Sequence, residues 1–333
     1  MKGYLAAAIQ TDQKNPLNRR EMKRNTNRNI ELIELAVVGY KPFLPLKLIV
    51  FPEFSHAAPV YASLKELRDH LGVEIPNRHT ERVAEKAREL GVYIQMGSML
   101  EIDKKYKNAL FNTSCLVGPE GMLYKYRKVY PWIPWEVHTS PHDIPDYEEE
   151  LFPVADTEIG ILGAAICYDW LFPECTRELA GKGAEILLRV SAYMDPFGAT
   201  RPNDWWTLVN RCRALENLVY VVAANQGASL RNYPPFSWPG GSMIVDYDGR
   251  IVAQATPGDG EKITVGPIDV EMLRRERKTR LAHQMNFHLR SEAHQRYRQG
   301  CFPGGTFGGQ EDQTYEDNAK RIRETAKKFW KHP

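Results

Sequence analysis

The sequence has few cysteines, and their spacing suggests no structural framework. Its 333 residues include five, at positions 115, 167, 175, 212 and 301, with no CxxC pair. This pattern differs from a disulfide scaffold and from a zinc knuckle, and no HExxH motif occurs. His138 and His142 lie close together, but the Thr-Ser-Pro between them prevents a helix, so we interpret the pair as a loop feature. We therefore expect no metal ion and no organic cofactor.

An excess of one charge sign and long apolar runs are also lacking. The chain has 44 Lys and Arg against 42 Asp and Glu, for a formal net charge of +2. This balance argues against a nucleic-acid-binding protein held by a broad basic surface. No apolar run reaches the length of a membrane span, and the apolar part of Met1–Gln10 is too short for a secretory signal. We expect a soluble, cytoplasmic protein that binds neither nucleic acid nor membranes.

The sequence does contain an alternation of short apolar runs and amphipathic segments. Two predicted strands, Tyr4–Gln10 and Leu46–Phe51, enclose a predicted helix from Asn15 to Val38 that Asn15 would cap. Further helices are predicted over Asn77–Leu90 and Asp204–Asn217. The other predicted strands are Val92–Leu100, Leu110–Val117, Gly121–Tyr126, Ile159–Ile166, Ala184–Val190, Leu218–Ala224, Gly241–Tyr247, Arg250–Ala255 and Lys262–Ile268. This order predicts an α/β sandwich of mixed sheets with outer helices.

The character of the sequence changes near residue 270. We expect one domain over residues 1–270 and a C-terminal extension over residues 271–333. The extension contains the charged run Glu271–Arg280, the glycine-rich run Pro303–Gly309 and a predicted helix, Tyr315–Trp330. Since such a segment buries little apolar surface alone, we expect it to pack on the body or on a second subunit. The alternative is a solvated, partly disordered tail.

The apolar run Ile159–Ile166 ends on Cys167, shortly before a predicted helix that starts near Pro173. A thiol close to a helix N-terminus lies in a positive potential, which favours the thiolate, the form that attacks carbon. The alternative is an inert core thiol, which is the usual state of a free cysteine.

Two other predicted strands end in side chains suited to chemistry. Glu53 follows the strand that ends at Phe51, and Lys128 follows the second strand of a hairpin. Open α/β sheets tend to collect catalytic groups just beyond their strand ends. Taken singly, Glu53 is equally explained as a cap of the next segment and Lys128 as a solvated surface charge. Their occurrence together with Cys167 favours a catalytic set.

The motifs at these three strand ends resemble those of the nitrilase superfamily of carbon-nitrogen hydrolases. They are Phe51-Pro52-Glu53, Lys125-Tyr126-Arg127-Lys128 and Ala165-Ile166-Cys167-Tyr168-Asp169, in the family's order and near its spacing. The resemblance extends from about residue 3 to about residue 270. It implies a four-layer α-β-β-α sandwich of two mixed sheets with outer helices, followed by the C-terminal extension.

The loop after Lys128 resembles the aliphatic amidase and formamidase branch of that superfamily. A Pro-Trp pair ending at Trp132 follows the lysine, and a second glutamate, Glu136, lies eight positions beyond it. The resemblance implies that Cys167 is the nucleophile, that Glu53 takes and returns protons, and that Lys128 stabilises the oxyanion. Glu136 would orient either the Lys128–Glu53 pair or the amide nitrogen of the substrate.

The acyl pocket is expected to differ from that of the branch. Trp170 stands where the branch usually has glycine, and the preceding glutamate motif is followed by phenylalanine instead of tyrosine. By resemblance, we expect the substrate to contact Tyr168, Trp132, Trp170 and Tyr193. The cysteine is followed by Tyr-Asp instead of the Trp-Glu of nitrilases, which favours amides over nitriles.

The resemblance implies an amidase that hydrolyses a carboxamide to a carboxylic acid and ammonia through a cysteine thioester. The alternatives are an N-carbamoyl amine hydrolase or acyl transferase of the same superfamily, and a catalytically silent scaffold. Because members commonly form dimers and higher homo-oligomers, we expect Phe172–Gly183 and the tail after Asp269 to lie at subunit interfaces.

Overall fold

The structure is a computed structural model, and it describes residues 3–227, 238–294 and 313–329. Its strands are β1 (Tyr4–Gln10), β2 (Leu46–Val50), β3 (Tyr93–Gln95), β4 (Met99–Asp103), β5 (Tyr106–Gly118), β6 (Gly121–Arg127), β7 (Val154–Thr157), β8 (Gly160–Ile166), β9 (Ile186–Ser191), β10 (Tyr220–Asn225), β11 (Met243–Val245), β12 (Ile251–Gln254) and β13 (Lys262–Ile268). Its α-helices are α1 (Met22–Tyr40), α2 (Leu64–Leu71), α3 (Arg78–Leu90), α4 (Pro173–Gly181), α5 (Trp205–Asn217), α6 (Val270–Thr279), α7 (Met285–His288) and α8 (Tyr315–Phe329).

The strands form two mixed sheets that pack face to face. The first sheet has the order β13-β1-β2-β3-β5-β4, with β6 paired to β5, and the second has the order β12-β11-β10-β9-β8-β7. Helices α1 and α3 pack on the first sheet, α4 and α5 pack on the second, and β1 faces β10 between them. The predicted four-layer α-β-β-α sandwich is therefore confirmed.

Side-chain alternation along β1 explains how three of these layers are held together. Ala6 and Ala8 lie in the buried cluster that includes Val222 of the second sheet. Ile9 instead lies in the cluster that includes Ile33 of α1. Because successive side chains of a strand point to opposite faces, a strand between two layers is apolar throughout. The small alanines allow the two sheets to approach closely.

The first helix begins later than predicted. Helix α1 starts at Met22, and its cap position, Glu21, makes no side-chain capping bond, so the prediction that Asn15 caps it is wrong. The reason is tertiary: Arg19, just before the helix, donates hydrogen bonds to the backbone carbonyls of Arg68 and Asp69, at 2.6 and 2.7 Å. These bonds hold the preceding residues as a loop against the end of α2.

The predicted strand Val92–Leu100 is two strands, β3 and β4, with a break that contains Gly97. A Cβ atom at Gly97 would lie 2.3 Å from the carbonyl oxygen of Pro52 and would overlap Ser55. The strand is therefore interrupted at Gly97, where the absence of a side chain allows the loop around Glu53 to pack against the backbone.

The C-terminal helix α8 lies against the body of its own chain. Just before it, the carbonyl oxygen of Gln313 accepts a hydrogen bond from the backbone N–H of Leu64 at 3.2 Å, and Thr314 pairs with Ser63. Contact of this extension with a second subunit stays a prediction. Pro303–Gly309 and Trp330 lie outside the described residues, and within the described part no helix is both long and apolar enough to cross a membrane.

Candidate active site

The structure brings the three predicted strand-end residues together between the two sheets. Glu53 follows β2 and Lys128 follows β6, both in the first sheet, whereas Cys167 follows β8 in the second. Lys128 Nζ lies 2.8 Å from Glu53 Oε1, and the Cys167 thiol interacts electrostatically with both groups. Residues distant in sequence therefore meet because the carboxyl ends of these strands face one another.

Glu136, predicted from the loop after β6, completes the charged group. Lys128 Nζ donates to Glu136 Oε2 at 2.7 Å and to Oε1 at 3.0 Å, and the Trp132 backbone N–H also donates to Oε2. Lys128 is fully buried, and only 5% of the Glu136 surface is exposed. A buried ammonium between two carboxylates is tolerated because each charge has a partner.

Three further residues fix the position of Glu53, and sequence reasoning missed all of them. Asn112 Nδ2 donates to Glu53 Oε1 at 2.8 Å, and the Ala192 backbone N–H donates to Oε2 at 3.0 Å. Gln226 Nε2 donates to the Glu53 carbonyl oxygen at 2.6 Å. These groups come from β5 and from the residues after β9 and β10, so no local motif links them to Glu53. Together they give the carboxylate a single orientation.

The two glutamates differ in proton affinity. Burial, reinforced by the Glu136 carboxylate, raises the pKa of Glu53 above its ordinary value, and Lys128 only partly opposes this. Burial also acts to raise the pKa of Glu136, but Lys128, His138 and the hydrogen bonds from Lys128 and Trp132 outweigh it, so that this pKa is lowered. Carboxylates whose environments separate their pKa values are suited to different roles.

Cys167 occupies an unusual backbone conformation. Its φ angle is +47°, in the left-handed region, where a side chain with a Cβ atom is strained by about 1–3 kcal/mol. Asp169 holds the turn, since its carboxylate accepts hydrogen bonds from the Ile166 N–H at 2.9 Å, Tyr126 Oη at 2.7 Å and the Tyr130 N–H at 2.8 Å. This 3-10 turn, over Cys167–Leu171, aims the thiol at the cavity between the sheets.

The surroundings of the Cys167 thiol act on its pKa in opposite directions. Burial, followed by the charge of Glu53, raises the pKa of Cys167 to about 12, against which Lys128 acts only partly. The influence of the helix N-terminus on the thiol stays a prediction. Helix α4 starts at Pro173, as predicted, after a separate 3-10 turn, and Cys167 is 8% exposed. A thiol with a raised pKa needs a neighbouring base to remove its proton before it can act as a nucleophile.

A cavity of about 580 Å³ opens above these residues. Glu53, Glu136 and Cys167 contribute to its surface, and the remaining lining residues are mostly aromatic. Three of the four predicted substrate contacts line it, namely Tyr168, Trp132 and Tyr193.

The fourth predicted contact, Trp170, does not line the cavity, so its assignment to the substrate pocket is corrected. Its side chain is fully buried, and its indole N–H donates to the Ala165 carbonyl oxygen at 3.0 Å. The guanidinium of Arg189 lies 5.3 Å from its ring. The turn after Cys167 directs Trp170 into the core, where it is a packing residue.

The histidines of the following loop form no metal site. His138 is buried with its Nε2 3.9 Å from Glu136 Oε2, and burial lowers its pKa to about 4. Across residues 3–227, 238–294 and 313–329, no cluster of His, Cys, Asp and Glu is arranged to hold a metal ion. The other described cysteines are free, and Cys115 and Cys175 are buried packing residues.

Comparison with known families agrees with this arrangement. The model of the carbon-nitrogen hydrolase family matches residues 5–278, which is most of the chain and includes every group described above. The chain belongs to the carbon-nitrogen hydrolase family.

Relatives of this carbon-nitrogen hydrolase include two proteins named formamidase. The one from Bacillus cereus strain Q1 is 32% identical over 79% of this chain and 74% of its own length. The one from Helicobacter acinonychis is 30% identical over 79% of this chain and 73% of its own length.

Solved structures share the fold. Nit3 of Saccharomyces cerevisiae, a member of branch 10 of the nitrilase superfamily, is 26% identical with a TM-score of 0.67, over 84% of this chain and 96% of its own. An amidase from Nesterenkonia sp. AN1, at 19% identity, has a TM-score of 0.67 over 89% of this chain and 97% of its own, which shows the common fold.

The cavity of this carbon-nitrogen hydrolase also uses a residue from outside the family region. Tyr315, at the start of α8, lines the cavity, and its hydroxyl donates to the Tyr61 carbonyl oxygen at 3.2 Å. Sequence reasoning missed Tyr315, as it did Trp205 and Trp238, because nothing local shows which segments meet at the cavity. Phe54, the phenylalanine expected to alter the acyl pocket, does line the cavity.

Proposed function

We propose that this protein is an amidase that hydrolyses a carboxamide to a carboxylic acid and ammonia through a thioester on Cys167. The observation that carries the proposal is the single ammonium of Lys128 bonded to both Glu53 and Glu136, beside a buried thiol. An amide is a weak electrophile, so a route through a covalent intermediate divides one difficult step into two easier ones.

In the acylation step the sulfur of Cys167 attacks the amide carbon while Glu53 takes the thiol proton. The raised pKa of Glu53 suits a group that must hold this proton and then release it. Lys128 and the backbone N–H of Tyr168 would stabilise the oxyanion of the tetrahedral intermediate, and removal of one such donor typically raises the barrier by about 3 kcal/mol. Glu53 then gives the proton to the amide nitrogen as the C–N bond breaks and ammonia leaves.

Deacylation uses the same groups in reverse order. Water attacks the thioester carbon, Glu53 removes a proton from the water, and the C–S bond breaks as Cys167 recovers a proton from Glu53. The carboxylic acid is released, and the resting protonation states are restored. Glu136 keeps its charge throughout because its lowered pKa makes it the fixed anion that holds Lys128 in place.

The relatives support amide hydrolysis, since the two described above are named formamidase. An N-carbamoyl substrate would release ammonia together with carbon dioxide, and an acyl transferase would pass the acyl group to an acceptor other than water. Quantifying both gases and the acid product therefore separates these reactions from simple amide hydrolysis.

The direct test is chemical trapping of the thioester. Wild-type enzyme given an amide and hydroxylamine should yield the hydroxamate, because hydroxylamine intercepts the acyl group. Cys167→Ala and Cys167→Ser should yield neither hydroxamate nor ammonia, with unchanged far-ultraviolet circular dichroism. Turnover by either variant would contradict the nucleophile assignment. A wild-type protein that hydrolyses no amide, and whose Cys167 is not selectively labelled by a thiol reagent, would instead be a scaffold.

We also propose a homo-oligomer, a dimer or a larger assembly, with Phe172–Gly183 and the C-terminal extension at the interfaces. Exposed apolar residues on the adjacent α5, such as Leu208 and Leu215, support an interface on this face. Light scattering of the purified protein measures the mass, and a monomer at micromolar concentration would contradict the proposal.

A further inference from the structure

We propose that the preferred substrates of this site are uncharged primary carboxamides with an aromatic acyl group. The inference rests on the proposed amidase function and concerns the part of the substrate that does not react. It follows from the size of the cavity, the chemistry of its wall and the arrangement of its outer rings.

The cavity is too large for the smallest amides. Its volume of about 580 Å³ lies within the range of about 300–1,000 Å³ that holds drug-sized ligands. Formamide or acetamide would occupy only the space next to Cys167 and would leave most of the cavity to water. An acyl group with a ring would extend from the reacting carbon towards the mouth.

The described part of the cavity wall is aromatic, and its charged side chains are already paired with Lys128. Among the described lining residues the charged side chains are Glu53 and Glu136, and both are already bonded to Lys128. A substrate with an anionic or cationic tail therefore finds no counter-ion among these described residues. The aromatic members of the wall are Phe54, Trp132, Trp135, Tyr168, Tyr193, Phe197, Trp205, Trp238 and Tyr315.

Three of these rings form a cluster that leaves apolar surface uncovered. The ring centroids of Trp132 and Trp135 are 4.5 Å apart, and Phe197 meets Trp132 edge-on at 4.7 Å. Trp135 is 45% exposed and Phe197 is 37% exposed. A substrate ring seated against them would remove this surface from water and gain the edge and face contacts that aromatic pairs favour.

A substrate series tests the proposal. We expect kcat/KM for phenylacetamide to exceed that for acetamide by about thirtyfold or more, since burial of one ring is worth about 2 kcal/mol. Formamide, succinamate and 4-aminobutanamide should be poorer than phenylacetamide. A preference for formamide or acetamide, or for either charged amide, would overturn the inference while leaving amide hydrolysis intact. If no amide is hydrolysed at all, it is the proposed function that fails.

Substitution of Phe197 tests where the aromatic ring of the substrate binds. Phe197→Ala should reduce the ratio of kcat/KM for phenylacetamide to that for acetamide by about tenfold. Phe43→Ala is the matched control, because Phe43 is 74% exposed and precedes β2, at the end of that strand opposite Glu53. If the phenylacetamide-to-acetamide ratio is unchanged in Phe197→Ala, or falls equally in both variants, the proposed binding position of the substrate ring is contradicted.

A separate observation concerns the C-terminal extension, and from it we infer that Asn318 is a positioning residue for Glu136. Asn318 Nδ2 donates to the backbone carbonyl oxygens of Pro134 and Glu136, at 3.2 and 3.3 Å. Its Oδ1 accepts a hydrogen bond from Gln313 Nε2, which fixes the orientation of the amide. Asn318 is fully buried, so these bonds are shielded from water.

The extension is itself anchored to the body of the protein. Gln313 accepts from the Leu64 N–H, and the Tyr315 hydroxyl donates to the Tyr61 carbonyl oxygen. The loop that carries Glu136 is therefore held from one side by its bonds to Lys128 and from the other by Asn318. Since the family region ends at residue 278, this second support is an addition to the shared domain.

Substitution of Asn318 tests this role. Leucine at position 318 cannot donate hydrogen bonds to the loop that carries Glu136. In Asn318→Leu we therefore expect kcat to fall about tenfold with little change in KM, because the loop would move the Glu136 carboxylate away from Lys128. The pH at half-maximal kcat/KM should also move by about half a unit, which loss of folded protein alone would not cause. Lys320→Ala, at an exposed position of the same helix, is the control. A kcat within twofold of the parent, or an unmoved pH profile, would contradict the inference.

Discussion

The carboxylate of Glu136 uses both of its oxygens to bind Lys128, at 2.7 and 3.0 Å. Glu53 bonds the same ammonium through Oε1 alone, and its Oε2 is held by a backbone N–H. Glu136 therefore supplies most of the compensating charge for Lys128, and this leaves Glu53 available to exchange a proton. In the proposed mechanism this difference in bonding gives the two glutamates different roles, Glu53 as the base and Glu136 as the fixed anion.

Replacement of Glu136 by glutamine should leave the protein folded but lower kcat by about tenfold or more. Glu53 would then be the one carboxylate bonded to Lys128, and the undivided positive charge would lower the pKa of Glu53. Steady-state ammonia release measures this effect. Glu150→Gln, at an exposed position, is the control. If Glu136→Gln keeps kcat within twofold of the parent, Glu136 has only a structural role.

Lys128→Met should destabilise the fold as well as abolish turnover. The substitution leaves two buried carboxylates without their partner, and breaking a buried ion pair in this way costs about 3–5 kcal/mol. Urea unfolding gives the change in free energy. Lys104→Met provides the contrast, since Lys104 is 85% exposed, and the loss of its pair with Glu74 should cost less than about 1 kcal/mol. Equal losses in the two variants would contradict the structural role of the buried pair.

Asp169→Asn should disturb the turn that carries the thiol. The carboxylate accepts three hydrogen bonds, and an amide at this position turns its NH2 group towards a donor, so at least one buried donor loses its partner. We expect a loss of about 1–3 kcal/mol in unfolding free energy and a lower kcat. Asp156→Asn, on the exposed side of β7, should change neither quantity. Unaltered stability of Asp169→Asn would mean that Asp169 does not hold the turn.

The buried His56 makes the stability of the fold depend on pH. His56 is 1% exposed, and its ring lies near Thr26 Oγ1 at 3.3 Å and beside His79. Burial, together with the neighbouring His79, lowers the pKa of His56 to about 3. The unfolded chain therefore binds a proton below about pH 6.5 that the folded chain cannot hold, so stability falls as the pH decreases through that range.

Between pH 5.5 and 4.5 we expect the unfolding free energy of His56→Asn to fall by about 1.4 kcal/mol less than that of the parent. The reason is that the unfolded variant lacks the one proton that His56 would bind. Urea unfolding at the two pH values gives the difference. A slope that is the same in His56→Asn as in the parent would contradict the assignment.

Local sequence signals located most of the strands and the polar residues at their ends, but they missed β7 and the break between β3 and β4. Glu53, Lys128 and Cys167 each follow an apolar run, so their place at a strand end is readable without knowledge of the rest of the fold. Glu136 lies on the same loop as Lys128, and short spacing limits where it can go. Both bounds of the strand Lys262–Ile268 were predicted correctly, and so was the end of helix α3 before Gly91.

The side chains that depend on long-range packing were not predictable in this way. The direction of Trp170 is decided by a tight turn whose geometry depends on the hydrogen bonds of Asp169 to distant residues. The link between Asn318 and the Glu136 loop joins positions 182 residues apart, and no periodicity encodes it. Such contacts arise only when the whole chain has folded.

The division of the site between two sheets has a consequence for variation far from it. Glu53 and Lys128 move with one sheet and Cys167 with the other, so the thickness of the alanine layer at Ala6 and Ala8 sets the distance over which the proton must travel. A larger side chain there would separate the proposed nucleophile, Cys167, from the proposed base, Glu53, without contacting either of them. Turnover would then fall through a change of geometry alone, together with the loss of stability that overpacking of a core causes.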